Sequence, residues 1–400
     1  LDDPIEDIEY DVLRKAWRVK VNQPDLKNCT SPIGARIVKT HAEIPDVLGA
    51  HRLALLLHVS DHGTIERATK PFTEAHCVEA RVVLKTIKLR EDFLCRILPL
   101  ALYEATGDLS TGALISRWLP NDCETYLHYL SVYCKSLANN YLKGCRYLVD
   151  KFNLPLTIPL FDAEPAYVGM KNCPNDVFIK NLVQELVSEL ISHPLQTRAD
   201  RAKYINLLSA YSLLYMTQGL GLRNWIDADP EIQTLPSTFD GLGLASFADK
   251  VVSAGHFRVI YCPADLTKHI VGLSGLTQRL AMELTATPGK EAPGLLPFID
   301  EDQRIRRFHP ADVRTVLGDR FPFPPNALRR RARSHMYDYE GSDAVTLAHG
   351  YSYWMGHWTY ATNPHRIEAD GLRESAYLIN RHIIEPLLAA DGWTALAPRI

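Results

Sequence analysis

The sequence predicts a mainly α fold with a small β-sheet, an α+β chain in which a helical domain precedes a larger mixed domain. Three observations predict it. Apolar residues recur at helical spacing through most of the second half, alternation is confined to a short stretch near residues 247–261, and prolines gather between the halves.

Taken in order, residues 1–70 mix acidic, apolar and proline-containing pieces, and Pro24, Pro32 and Pro45 break any long element. They read as an N-terminal extension or accessory region. Residues 71–150 read as a helical domain. Val83, Ile87, Phe93 and Ile97 suggest one helix, and Leu127, Leu130, Leu137, Leu142 and Leu148 suggest another over 125–150. Pro155, Pro159, Pro165 and Pro174 then punctuate a linker over 151–176.

The second domain, 177–400, opens on the clearest amphipathic stripe: Ile179, Leu182, Val183, Leu186, Val187 and Leu190. An apolar helix over 205–216 follows and runs into Gly219-Leu220-Gly221-Leu222-Arg223. Phe247-Ala248 and Phe257-Arg258-Val259-Ile260-Tyr261 flank a turn carrying Lys250 and read as a β-hairpin. Further helices are expected over 266–285, 327–337, where Asn326 can cap the start, and 374–389.

At 400 residues and 46% hydrophobic content, the chain has apolar material for two or three domains. No run of about 18 apolar residues appears, so no membrane span is expected. Leu1-Asp2-Asp3-Pro4 has neither a basic nor an apolar leader region. The eight cysteines, at 29, 77, 95, 123, 134, 145, 173 and 262, form no C-x-x-C pair. That argues against a zinc ribbon or a secreted disulfide framework and for reduced core thiols in a cytoplasmic protein. Fifteen histidines supply no H-E-x-x-H pair, and the one H-x-x-x-H spacing, His58/His62, falls in the accessory region rather than on an expected helix, so a metallohydrolase is disfavoured.

The formal charge of -3 opposes nucleic-acid binding by the whole chain, but charge is unevenly spread. Between Gln303 and Arg333 stand Arg304, Arg306, Arg307, Arg314, Arg320, Arg329, Arg330, Arg331 and Arg333, against Asp312 and Asp319 alone. A planar guanidinium suits bidentate phosphate contacts better than an ammonium does. Asn326, Arg330, Arg331 and Arg333 are therefore candidate DNA contacts, the alternative being a solvated arginine-rich surface. Arg223 is a phosphate clamp on one reading and a solvated residue after a helix stop on the other.

The order of these pieces carries a family resemblance: Gly-Leu-Arg after an apolar helix, a lysine in a hairpin, Leu328-Arg329 in an arginine-rich helix, then Met355-Gly356-His357. In that order and spacing, residues 176–400 resemble the catalytic domain of tyrosine recombinases, the phage-type integrases, and the preceding helical region is similar in position to their core-binding domain. The resemblance implies a protein that clamps double-stranded DNA as a homo-oligomer. It would cleave and rejoin strands through a 3′-phosphotyrosine in integration or excision, with no metal, cofactor, small-molecule substrate or membrane involved.

Such chemistry needs a deprotonated phenol, neutralised non-bridging oxygens and a proton for the leaving 5′ oxygen. The resemblance gives Arg223 and Arg329 to the non-bridging oxygens, Lys250 to the leaving oxygen and His357 to the phosphate or the tyrosine. Two positions depart from the family pattern. Asn326 stands where the family has His or Lys, and Arg366 stands where it sets its tyrosine. Tyr360 is then the nearest candidate nucleophile, with Tyr377, Tyr351 and Tyr353 behind it. A recombinase-fold DNA-binding protein that has lost the nucleophile, acting in regulation or assembly, fits the same residues, and a helical protein binding an acidic partner is a third reading.

Overall fold

The computed structural model describes residues 8–11, 16–21, 32–45, 47, 66–67, 91–115, 127–222, 231–234, 243–248, 257–285, 294–324, 326–356 and 370–399. The chain divides into two compact units. One comprises residues 1–29, 37–171 and 340–348, the other 30–36, 172–339 and 349–400. Among the described residues no helix is long and apolar enough to cross a membrane.

The first unit holds strands β1 (Ile8–Asp11), β2 (Ala16–Lys20), β3 (Val38–Lys39), β4 (His41–Pro45) and β5 (Glu66–Arg67). An antiparallel sheet runs in the order β4-β2-β1-β5, with Trp17 opposite both Tyr10 and Ile44. Its central strand buries Ala16 and Trp17, and β4 buries Ala42 and Ile44. The N-terminal stretch expected to be an accessory region thus supplies strands to the same compact unit as the helices that follow it, because β4 packs on helix α3.

Those helices are α1 (Glu91–Thr106), α2 (Ser110–Ile115) and α3 (Cys134–Phe152). α1 crosses α3 closely at Gly144, where a Cβ would lie 2.5 Å from Leu102. The helix expected from residue 125 begins only at Cys134. Ser131–Tyr133 forms β6 instead, pairing with β7 (Tyr167–Gly169), which also pairs with β3 in parallel. β-branched Val132 and aromatic Tyr133 favour the pleated surface over a helical turn. The proline-rich stretch after Phe152 accordingly returns to this sheet through β7.

In the second unit α4 (Asp176–Ser192) is capped by Asn175, whose side chain accepts from Phe178 N at 2.8 Å. α5 (Arg198–Leu220) opens with a reciprocal Thr197/Asp200 capping box. α5 is the axis of this unit, with every residue from 207 to 220 buried. Its polar side chains bond inward. Asn206 grips Ile299 N and O, and Ser209 Oγ donates to Pro297 O at 2.7 Å.

Strands β8 (Glu231–Thr234), β9 (Gly243–Ala248) and β10 (Phe257–Cys262) form an antiparallel sheet in the order β10-β9-β8. The expected hairpin is β9–β10, and Lys250, in its connection, lies outside the described residues. α6 (Ala264–Thr285) follows, then the ribbon of β11 (Pro297–Ile299) and β12 (Ile305–Arg307), and α7 (Asp312–Leu317).

The last helices are α8 (Ala327–Tyr337), α9 (Ala344–Trp354), α10 (Asp370–Ile379) and α11 (Glu385–Asp391), the last two joined by a π-helical turn at Asn380–Ile384. A tail without regular structure ends the unit. Thr394 N and O bond Tyr211 Oη, Leu396 N donates to His269 Nδ1, and Arg399 N donates to Tyr204 Oη. The Arg399 guanidinium then meets the Leu190, Ile191 and His193 carbonyls at the end of α4.

Candidate active site

Two helices end where the motif residues begin. α5 stops at Gly221 in the left-handed region, φ 58°, two residues before Arg223. α9 stops at Trp354, and Gly356 takes φ 61° immediately before His357. Glycine is required at 221 for a second reason: a Cβ there would lie 2.5 Å from the buried Trp354 ring. The two ends are thus packed against each other.

Arg329, from the first turn of α8, ties them together. Its Nη1 donates to Gly221 O at 2.6 Å and its Nη2 to Met355 O, and the side chain is wholly buried. Charged donors on the last carbonyls of two helices also offset the negative ends of both helix dipoles. The β9–β10 hairpin joins the same cluster through Tyr353 Oη, which donates to Val259 O, and Asn380 Nδ2, which donates to Tyr261 O. The end of α5, strand β10, the first turn of α8 and the end of α9 therefore adjoin. Of the proposed catalytic residues only Arg329 is itself described; Arg223, Lys250, His357 and Tyr360 lie outside the described residues.

The arginine-rich helix departs from expectation. Arg331 and Arg333 point into the protein rather than outward, and Arg330 is half-buried. Arg331 bonds Asp391 through Nη1 at 2.5 Å and Nη2 at 2.9 Å, and Asp176 through Nε at 3.1 Å and Nη2 at 2.8 Å. Gln218 Nε2 adds a 2.6 Å bond to Asp391, and His335 Nε2 lies 3.2 Å from Asp176. Arg331 thus pins the start of α4 to the end of α11, and Asp391 in turn holds the last turn of α5 through Gln218, rather than Arg331 reaching an outside phosphate. The Arg333 guanidinium lies 5.0 Å from the Tyr351 ring centre.

Asn326 also departs from expectation. Its φ of -83° and ψ of 6° are not extended, and its side chain bonds no helix N–H; only its carbonyl enters the helix, accepting from Arg330 N at 3.2 Å.

Burial pushes the Asp176 carboxyl up, but the His335 hydrogen bond and the Arg331 charge outweigh it and hold the group well below the usual carboxylate range. Burial lowers His335, helped by the Arg331 and Arg36 charges and opposed by Asp176. Sequence reasoning missed this network because Asp176 and Asp391 are far from Arg331 along the chain. The one local signal was Asp176 at the start of a helix, where an acid complements the dipole.

Elsewhere the basic segment is partly neutralised. Arg306 forms a bidentate pair with Asp312, at 2.7 and 2.8 Å, over the Phe298 ring, and Arg320 meets Glu189 at 2.6 Å. A cleft of about 640 Å³ beside Arg306 and Arg320, walled by α5, α7 and the β11–β12 ribbon, contains none of the motif residues. Among the described residues no group of three His, Cys, Asp or Glu side chains is placed to hold a metal ion. No protein-family model matches the chain, and neither does any curated protein or solved structure.

Proposed function

We propose that this chain is a DNA strand transferase of the tyrosine-recombinase kind. The observation that carries the reading is the Arg329 link between Gly221 O and Met355 O, which draws together motif segments far apart in sequence. A phosphoryl-transfer site needs such convergence, since its donors must surround one phosphate.

In this reading Arg223, leaving the end of α5, neutralises a non-bridging oxygen. Lys250 protonates the leaving 5′ oxygen, and His357 bonds the phosphate or the attacking phenol. Tyr360 attacks, forming the 3′-phosphotyrosine as the P–O5′ bond breaks; a free 5′ hydroxyl later reverses the step. Arg329 holds the carbonyls beside Arg223 and His357.

One observation favours a second reading, a DNA-binding protein of the same fold without strand cleavage. The guanidinium expected on the phosphate is wholly buried and bonded to backbone carbonyls. A nicked duplex whose cleavage releases a short, diffusible end separates the two. A covalent protein–DNA adduct with the parent chain and none with Tyr360→Phe supports strand transfer. Salt-sensitive duplex binding with no adduct supports the second reading, and absence of duplex binding sinks both.

A further inference from the structure

In the first unit α3 and the chain that returns along it leave a cleft of about 320 Å³. One wall is helical and carries Lys143 and Arg146, three residues apart and so on one face. Pro159, Leu160 and Phe161 form the other. Asn139 and Glu340 also line it and are bonded to each other at 2.8 Å.

The two walls differ in chemistry. Leu160 is 98% exposed, and Phe152 and Leu154, in the same short stretch of chain, are exposed as well. Single exposed apolar residues are ordinary, whereas grouped ones beside polar groups mark contact surfaces. Among the described residues neither Lys143 nor Arg146 is in an ion pair. Lys143 Nζ donates to Asn140 Oδ1 at 3.2 Å, and the one carboxylate in the lining, Glu340, already accepts from Asn139.

We propose that this cleft docks a short acidic peptide segment of a partner protein. Leucine- or phenylalanine-type side chains of the segment pack on Leu160 and Phe161, and its carboxylates meet Lys143 and Arg146. Charge complementarity selects this occupant: Lys143 and Arg146 outnumber Glu340, the one carboxylate in the lining, and apolar Leu160 and Phe161 line the same cleft. A duplex backbone would satisfy the cations but offers nothing apolar to cover Leu160. The proposal is independent of the strand-transfer reading.

The test uses the full chain and a fluorescein-labelled peptide with leucine and phenylalanine set among aspartates and glutamates, read by anisotropy. Saturable binding is expected, about ten-fold or more weaker with Lys143→Glu/Arg146→Glu and with Leu160→Asp, and absent when serine replaces the peptide's apolar residues. Lys143→Ala/Arg146→Ala substitutes if charge reversal disturbs folding, as read by circular dichroism. No binding, equal binding by the variants, retention by the serine peptide, or a duplex oligonucleotide competing through the same cations would each overturn the proposal.

Discussion

Arg331 and Asp391 are joined by two hydrogen bonds, one to each carboxylate oxygen, with 1% and 3% of their side chains exposed. Removing Arg331 strands the Asp391 carboxylate in the core, and removing Asp391 leaves the buried Arg331 with only the half-exposed Asp176 as counter-charge. Arg331→Met or Asp391→Asn should therefore lower stability by about 3–5 kcal/mol, read as a fall in the urea midpoint. The double replacement Arg331→Met/Asp391→Leu should recover much of that loss, because no unpaired charge remains. If the single variants melt like the parent, the pair does not hold the helices.

The Arg329 link makes a separate prediction. Gly221→Ala forces a side chain into the left-handed region and against Trp354, costing about 1–3 kcal/mol. Arg329→Met leaves two carbonyls without their charged donor and costs about 2–4 kcal/mol. Both should also reduce adduct formation on the nicked duplex. An unchanged urea midpoint in either variant would remove the link from the account of this cluster.

His269 gives a pH dependence. Burial lowers it to about 4, while Leu396 N donates to its Nδ1 and Ser212 Oγ lies 2.8 Å from its Nε2. As pH falls from 6.5 toward 4, the unfolded chain takes up a proton that the folded chain refuses. Stability should fall by about 1.4 kcal/mol per pH unit, about 3 kcal/mol over the window, and His269→Gln should flatten the profile. The Asp176 carboxyl is lowered as well, so its contribution is present above the ordinary carboxylate value of 3.8 and is lost as pH falls below it. The His269 window lies above about pH 4 and the Asp176 window below 3.8, so urea midpoints measured from about pH 2 to 7 distinguish them.

The buried thiols should resist chemistry. Burial pushes Cys145 up to about 11 and Cys262 to about 12, and Cys134 and Cys173 are buried too. At mildly alkaline pH, iodoacetamide should modify these four only after denaturant is added. Peptide mass mapping reads the result, and rapid labelling of Cys262 in the folded chain would contradict the packing around it.

Helix α4 was legible in the sequence because its apolar residues follow a helical period over several turns, and α5 because its run is apolar nearly throughout. The short strands were not, since Ser131–Tyr133 and Val38–Lys39 are too brief to show a period and owe their form to partners distant in sequence. The arginine cluster was legible as charge but not as direction. Whether Arg331 faces water or the core depends on Asp176 and Asp391, and nothing in its neighbours announces either. The Asn326 cap failed for a local reason, the backbone angles at that residue.

The tail after Gly392 is gripped by main-chain atoms of Thr394, Leu396 and Arg399, and the gripping side chains belong to Tyr204, Tyr211 and His269. Drift in the identities of residues 394 and 396 should therefore be tolerated as the sequence diverges, whereas a proline at either would not be. In a deep mutational scan the intolerance belonging to this segment would register on α5 and α6, far upstream of the residues being held.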